Sequence, residues 1–129
     1  MLDAFQATVP YLLERKTPAS WTLCVGGDGD NATRAGPAMT QGAVYALANR
    51  ATRDLADTNV RFIEVYLGLR VLFDEIAEQT GMSKVSDFSK NYELLLNRPD
   101  VKGARVNVRN HEQLKELSFE VKKMGPILG

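Results

Sequence analysis

Apolar residues recur at helical spacing in the segment 36–56, which lies between two short apolar runs. Positions i, i+3, i+4, i+7 and i+11 form one apolar face of a helix: Val44, Leu47, Ala48, Ala51 and Leu55. The flanking runs, Trp21–Val25 and Val60–Tyr66, have the length and composition of strands. A strand, a helix and a second strand with short joins predict a βαβ unit, in which the strands are parallel and the crossover is right-handed.

The pattern predicts three more helices, one before this unit and two after it. Residues 2–15 carry an apolar stripe with Pro10 inside it, so we expect a kinked helix. Residues 71–79 predict a short helix with Leu72 and Ile76 facing inward and with Phe73 and Ala77 as further inward candidates. Ser86 is a suitable N-cap for a further helix, whose stripe contains Phe88, Tyr92, Leu95 and Leu96.

A third strand is predicted at 103–108, where Val106 and Val108 share one face. The segment 111–123 fits either a helix or a partly extended chain. Strands that alternate with helices predict an α/β fold with a parallel sheet, within one domain of 129 residues. A sheet of about three strands leaves two edges open to pairing, so we expect a partner or a larger sheet to cover them.

The composition excludes several partners. Sixteen basic and sixteen acidic residues give no net charge, which argues against nucleic acid or an anionic membrane surface; Lys122 and Lys123 are expected to face solvent. No apolar run approaches the roughly 20 residues of a membrane span, and the N-terminus does not resemble a signal peptide. The single cysteine, Cys24, cannot form an intrachain disulfide, which favours a cytoplasmic protein with this residue buried in its strand.

The loop Gly26–Asn31 lies at the carboxyl end of the first predicted strand, where open α/β sheets bind ligands. It is rich in glycine but lacks the lysine of a phosphate-binding loop and the GxGxxG pattern. Asp28 and Asp30 are typical of a calcium loop, but Met39 stands where that loop has its last glutamate. We therefore expect a flexible connection and no metal site.

The segment 37–47, PAMTQGAVYAL, resembles the Tyr-x-x-x-Lys signature of the short-chain dehydrogenase/reductases. Four further segments are similar to other parts of that family: 5–13 to its fourth helix, 21–27 to its fifth strand, 59–64 to the strand after the catalytic helix, and 102–108 to its last strand. The resemblance implies part of a three-layer Rossmann-like fold, corresponding to the second half of the family's domain, without the Gly-rich turn of its first half.

The resemblance also shows which catalytic groups are replaced. The family's Tyr is a general acid/base, its Lys lowers the pKa of that Tyr, and its Ser steadies the substrate. Pro37 stands at the Tyr position, Gln41 at the Lys position, and Gly26 or Gly27 at the Ser position. None of these side chains can relay a proton at neutral pH, so we predict no catalytic residue at these positions.

Other residues remain candidates for chemistry or cofactor contact. In a second register Tyr45 takes the Tyr role and Asn49 the Lys role, but Asn49 carries no charge and Tyr45 would lie two turns away from the strand ends. Tyr66 and His111 are the other titratable candidates for acid/base chemistry. The family resemblance implies five cofactor-binding candidates: Gly26, Gly27, Gln41, Leu67 and Gly68. Leu67 and Gly68 stand where the family has a Pro-Gly turn.

Three functions are consistent with these features. The first is a truncated, catalytically inactive relative of the reductases that binds no cofactor alone and forms a homodimer through helices 2–15 and 39–57, as the resemblance implies. The second is one part of an NADP- or NAD-dependent oxidoreductase that another chain completes. The third is a small-ligand binding module that uses the Gly26–Asn31 loop and the strand ends.

Overall fold

A computed structural model describes residues 1–126 and contains helices on both sides of a mostly parallel sheet. The helices are α1 (Leu2–Glu14), α2 (Asp28–Asn31), α3 (Ala35–Asp54), α4 (Asp74–Thr80), α5 (Val85–Leu96) and α6 (His111–Lys115). The strands are β1 (Ala19–Gly26), β2 (Val60–Leu67), β3 (Val71–Leu72), β4 (Ser83–Lys84), β5 (Ala104–Val108) and β6 (Phe119–Val121).

The main sheet has the strand order β1-β2-β5-β6. Strands β1, β2 and β5 are parallel, with Ala19 opposite Val60 and Ile63 opposite Ala104, as the sequence predicts. Strand β6 is antiparallel to β5, so the segment 111–123 divides into a short helix and an edge strand. Strands β3 and β4 form a separate two-stranded pair.

Two apolar cores cover the two faces of this sheet, which gives three layers. On one face, α1 and α3 pack on β1 and β2 around Phe62; on the other, α5 and α6 pack on β2 and β5 around Ile63. Strand β2 is buried almost throughout because helices cover both its faces, which explains its weak alternation in sequence. This confirms the α/β, partly Rossmann-like fold.

The predicted α3 stripe faces the core: Ala48, Ala51 and Leu55 are buried, and Val44 packs against the same cluster. In α1, the helix continues through Pro10, which is exposed, while Val9 is buried. Leu2, in the first turn of α1, is exposed.

The prediction for 71–79 is wrong in part. Val71 and Leu72 are extended and pair with Ser83 and Lys84, so the helix starts only at Asp74. Ile76 faces outward and is 47% exposed, because Ala77 is the residue of α4 that faces the core.

Two details of α5 also differ from the prediction. Lys84, and not Ser86, is the N-cap residue, and the Ser86 backbone N–H donates to the Asp74 carboxylate. Leu96 is exposed near the C-terminal end of the helix, whereas Leu95 is buried.

Strand β1 lies at an edge of the sheet. Its Leu23 and Val25 are buried under α1 and α3, but Cys24, on the opposite face, is exposed, so the prediction of a buried cysteine is wrong. The reason is that α5 packs over β2 and β5 and leaves much of β1 uncovered on this face. The Cys24 thiol is still partly shielded, and this burial raises its pKa, while the nearby Tyr92 acts in the opposite direction.

Candidate functional site

Two side chains of α3 hold the carboxyl end of β1. The Gly26 backbone N–H donates to Oε1 of Gln41 at 2.9 Å, and the Tyr45 hydroxyl donates to the Gly26 carbonyl at 2.5 Å. We call these three residues the Gly26 clamp. Because Gln41 and Tyr45 lie four residues apart, they project from one face of α3 toward the same backbone unit. Both polar groups of Gly26 are satisfied by this arrangement.

Tyr45 therefore lies at the strand end, which corrects the expectation that it would be two turns away. Side chains on a helix point back toward its N-terminus, so a long tyrosine covers most of that distance. Burial and the nearby Asp30 charge raise the pKa of Tyr45 to about 12, although the Arg105 guanidinium over its ring acts in the opposite direction. A hydroxyl with this pKa keeps its proton near neutrality and suits a structural hydrogen bond better than proton relay.

The positions implied by the family resemblance lie in the first two turns of α3 and at the end of β1. Pro37 lies in the first turn of α3 and is half-buried, and Gln41 is one turn further along and bonded to Gly26. Gly27 follows β1 as the N-cap of α2, so the predicted flexible loop contains a short helix. A Cβ at Gly27 would lie 2.9 Å from the Tyr66 hydroxyl, and a Cβ at Gly29 would lie 2.6 Å from the Tyr45 ring. These two glycines allow the loop to pack closely against both tyrosines.

A buried ion cluster lies next to the tyrosines. Glu64, fully buried in β2, accepts two hydrogen bonds from Arg105 at 3.1 Å each and forms an ion pair with Lys122. Lys122 also donates to Asn49 at 2.8 Å. The Arg105 guanidinium stacks on the rings of Tyr45 and Tyr66. These residues hold β2, β5, β6 and α3 together.

The sequence analysis missed this cluster. Its signal was the presence of charged residues inside two apolar strands, among them Glu64 and Arg105, which prove to be directly paired in register. The expectation that Lys122 faces solvent is wrong, because its side chain is only 11% exposed and is paired with Glu64. Lys122 follows a three-residue edge strand that the apolar pattern does not reveal.

A cleft of about 510 Å³ opens at the carboxyl ends of the parallel strands. It brings together some of the predicted positions, Gly27, Leu67 and Gly68, with three arginines that were not predicted: Arg34, Arg70 and Arg109. Tyr66 also faces this cleft, and burial together with the nearby Asp30 carboxylate raises its pKa. Gly26, Pro37, Gln41 and Tyr45 do not line it.

Other candidate positions lie outside the cleft. His111 is exposed at the start of α6, directly after the Asn110 N-cap. Another cleft of about 500 Å³ lies at the amino ends of the strands, near Phe62 and Lys102, far from the positions that the family uses for chemistry. Within residues 1–126, no group of histidine, cysteine or carboxylate side chains has the arrangement of a metal site. No helix in this range is long and apolar enough to cross a bilayer.

Comparison with known proteins identifies one curated relative. The chain is 40% identical over 124 residues to the short-chain dehydrogenase/reductase iacG of Pestalotiopsis fici. The match covers 92% of this chain and 50% of the relative, so the chain spans about half the length of the protein it matches. No family model matches the chain. No solved structure matches it either.

Proposed function

Since the chain is related to the short-chain dehydrogenase/reductases over half of a family member's length, we propose that it retains the scaffold of that fold without the proton relay and does not catalyse hydride transfer alone. The Gly26 clamp carries this proposal. The positions that correspond to the family's Tyr, Lys and Ser are Pro37, Gln41 and Gly26 or Gly27. The amide of Gln41 is already bonded to the backbone of β1. Tyr45, the remaining hydroxyl, donates to Gly26 and has a raised pKa.

The test is an assay of the purified chain with NADPH or NADH and a panel of aldehydes and ketones. The expected result is cofactor oxidation no faster than in the protein-free blank. Tyr45→Phe is the matched variant, because it removes one hydroxyl and keeps the ring. Turnover by the chain that Tyr45→Phe abolishes would show that Tyr45 is an acid catalyst and would refute the proposal.

A second candidate is an oxidoreductase that is completed by a further polypeptide segment, in the same or another chain. The observation that favours it is the edge of β1: within the described residues, β1 pairs with β2 alone, and one of its faces is left partly uncovered at Cys24. A nicotinamide dinucleotide, NADP or NAD, is the cofactor that this candidate implies.

Mixing the chain with the half of the Pestalotiopsis relative that lies outside the match tests this candidate. Calorimetric titration with NADPH should show tighter binding by the mixture than by either part alone. A mixture that forms a stable complex and binds no more tightly than its parts would exclude this candidate.

We also propose a homodimer through helices 2–15 and 39–57, in the cytoplasm. Support comes from the outer faces of α1 and α3, which leave apolar side chains such as Leu2, Tyr11 and Met39 exposed. Light scattering should give twice the 14.3 kDa mass of one chain. Ala46→Glu on the exposed face of α3 should yield the monomer, whereas Ser89→Glu on α5 should not. A monomeric wild-type chain would refute the dimer.

A further inference from the structure

The cleft at the carboxyl ends of the strands has an excess of positive charge. Three arginines line it, Arg34, Arg70 and Arg109, against one carboxylate, Asp28. Asp30 is close by, near the Tyr66 hydroxyl. The cations therefore outnumber the carboxylates even when Asp30 is included.

The Asp28 carboxylate already has partners. Asp28 accepts a hydrogen bond from Thr33 at 3.2 Å and forms an ion pair with Arg34 at 2.5 Å. Asp30 lies near the Tyr66 hydroxyl and does not line the cleft. Within residues 1–126, by contrast, the side chains of Arg70 and Arg109 make no hydrogen bond or ion pair, so two positive charges in the cleft lack a protein anion.

Arg109 is held in place by stacking. Its guanidinium lies 4.5 Å from the centre of the Tyr66 ring, which leaves its N–H groups available at the edge of the plane. Gly68 makes room for this contact: a Cβ there would lie 3.3 Å from the Tyr66 ring and 3.4 Å from Cγ of Arg109. A stacked guanidinium loses less conformational freedom when it binds a ligand.

We propose that this cleft binds a small organic anion, whose carboxylate or phosphate group contacts Arg109 and Arg70. The planar fork of an arginine fits two oxygens of either group. The carboxyl ends of parallel strands are also where open α/β sheets place their ligands. This inference is independent of the proposed loss of hydride transfer, because it concerns binding alone and uses none of the residues of the Gly26 clamp.

Calorimetric titration of the full chain at constant ionic strength tests the inference with three probes: inorganic phosphate, succinate and NADP. We expect saturable binding of at least one probe and a Kd that rises about 10-fold or more in Arg109→Gln. Arg15→Gln is the matched control, since Arg15 is also exposed and also stacks on a tyrosine, Tyr11, but lies on α1. The Kd of Arg15→Gln for each probe should equal that of the wild type.

The probes distinguish the two sources of the anion. Binding of phosphate and NADP without succinate assigns the cleft to phosphate esters, and binding of succinate without phosphate assigns it to carboxylates. Arg109→Lys should bind with intermediate affinity, because it keeps the charge and loses the fork. No saturable binding of any probe, or equal Kd values for the wild type and Arg109→Gln, would overturn the inference.

Discussion

At the scale of single residues, the end of β1 shows how side chains at a reductase-like site hold the backbone. Gln41 accepts from the Gly26 N–H and Tyr45 donates to its carbonyl, so the carboxyl end of β1 is fixed to α3. An amide is well suited to this role, because it accepts a hydrogen bond without bringing a charge into a half-buried position. We infer that the clamp contributes mainly to stability.

Gln41→Ala should lower the free energy of unfolding by about 1 kcal/mol, because it leaves the Gly26 N–H without its partner. Met39→Ala is the control, since Met39 is 77% exposed on the same helix and should change stability by less than about 0.5 kcal/mol. Urea denaturation measures both. Equal stability of the two variants would mean that the clamp has no energetic role.

At the level of single residues, the sequence told which residue types stand at the family's positions, but it did not tell how far their side chains extend. Pro37 and Gln41 carry the prediction that the family's relay groups are replaced, which rests on their identities alone. The position of the Tyr45 hydroxyl was wrong by about two turns, since counting residues along a helix ignores the length and direction of a side chain. The cleft arginines were not predicted because Arg70 and Arg109 follow different strands, and only the sheet brings them together.

At the scale of elements, apolar periodicity predicted the long helices and the three parallel strands. It failed where an element is too short to show a period: α2, β3, β4 and β6 have two to four residues each. These short elements depend on tertiary contacts, such as the pairing of Val71 with Ser83, which a local pattern cannot contain.

Helix α1 offers a test at this scale. Pro10 is exposed in its interior and removes one backbone hydrogen bond without packing on the core. Pro10→Ala should raise the free energy of unfolding by about 1–2 kcal/mol, after allowance for the greater freedom of the unfolded chain. Gln6→Ala, at an exposed position of the same helix, should change it by less than about 0.5 kcal/mol. Thermal unfolding followed by circular dichroism measures both variants, and a destabilised Pro10→Ala would contradict the prediction.

At the scale of the whole molecule, the main sheet ends in two edge strands, β1 and β6, and within the described residues β1 pairs with β2 alone. The Ala19 N–H bonds to the Asn59 carbonyl on the β2 side. Because N–H directions alternate along a strand, the N–H groups of Thr22 and Cys24 point away from β2. An open edge of this kind is a site where another strand can add.

Hydrogen exchange followed by NMR tests this edge. The amides of Thr22 and Cys24 should exchange much faster than those of Trp21 and Leu23, which face β2. A homodimer through α1 and α3 would leave this contrast unchanged, because it does not cover the edge. Equal protection of all four amides would show that a strand covers β1 in solution, which would contradict the open edge.

The proposed loss of the proton relay has a consequence that can be measured without a substrate. The family's relay depends on a tyrosine whose pKa is lowered by a lysine, whereas here the pKa of Tyr45 is raised to about 12, above the value of about 10 for a free tyrosine. Below pH 10 the hydroxyl is protonated in both folded and unfolded chains. Between about pH 10 and 12 only the unfolded chain loses this proton, so stability should fall as the pH rises through this range.

The tyrosinate absorbance of the folded chain, titrated with base and compared with that of Tyr45→Phe, isolates the ionisation of Tyr45. Circular dichroism at each pH confirms that the chain is still folded. Our account predicts that the step missing from Tyr45→Phe lies near pH 12. A step near neutral pH would show an activated tyrosine at this strand end and would contradict the proposal that the chain lacks a proton relay.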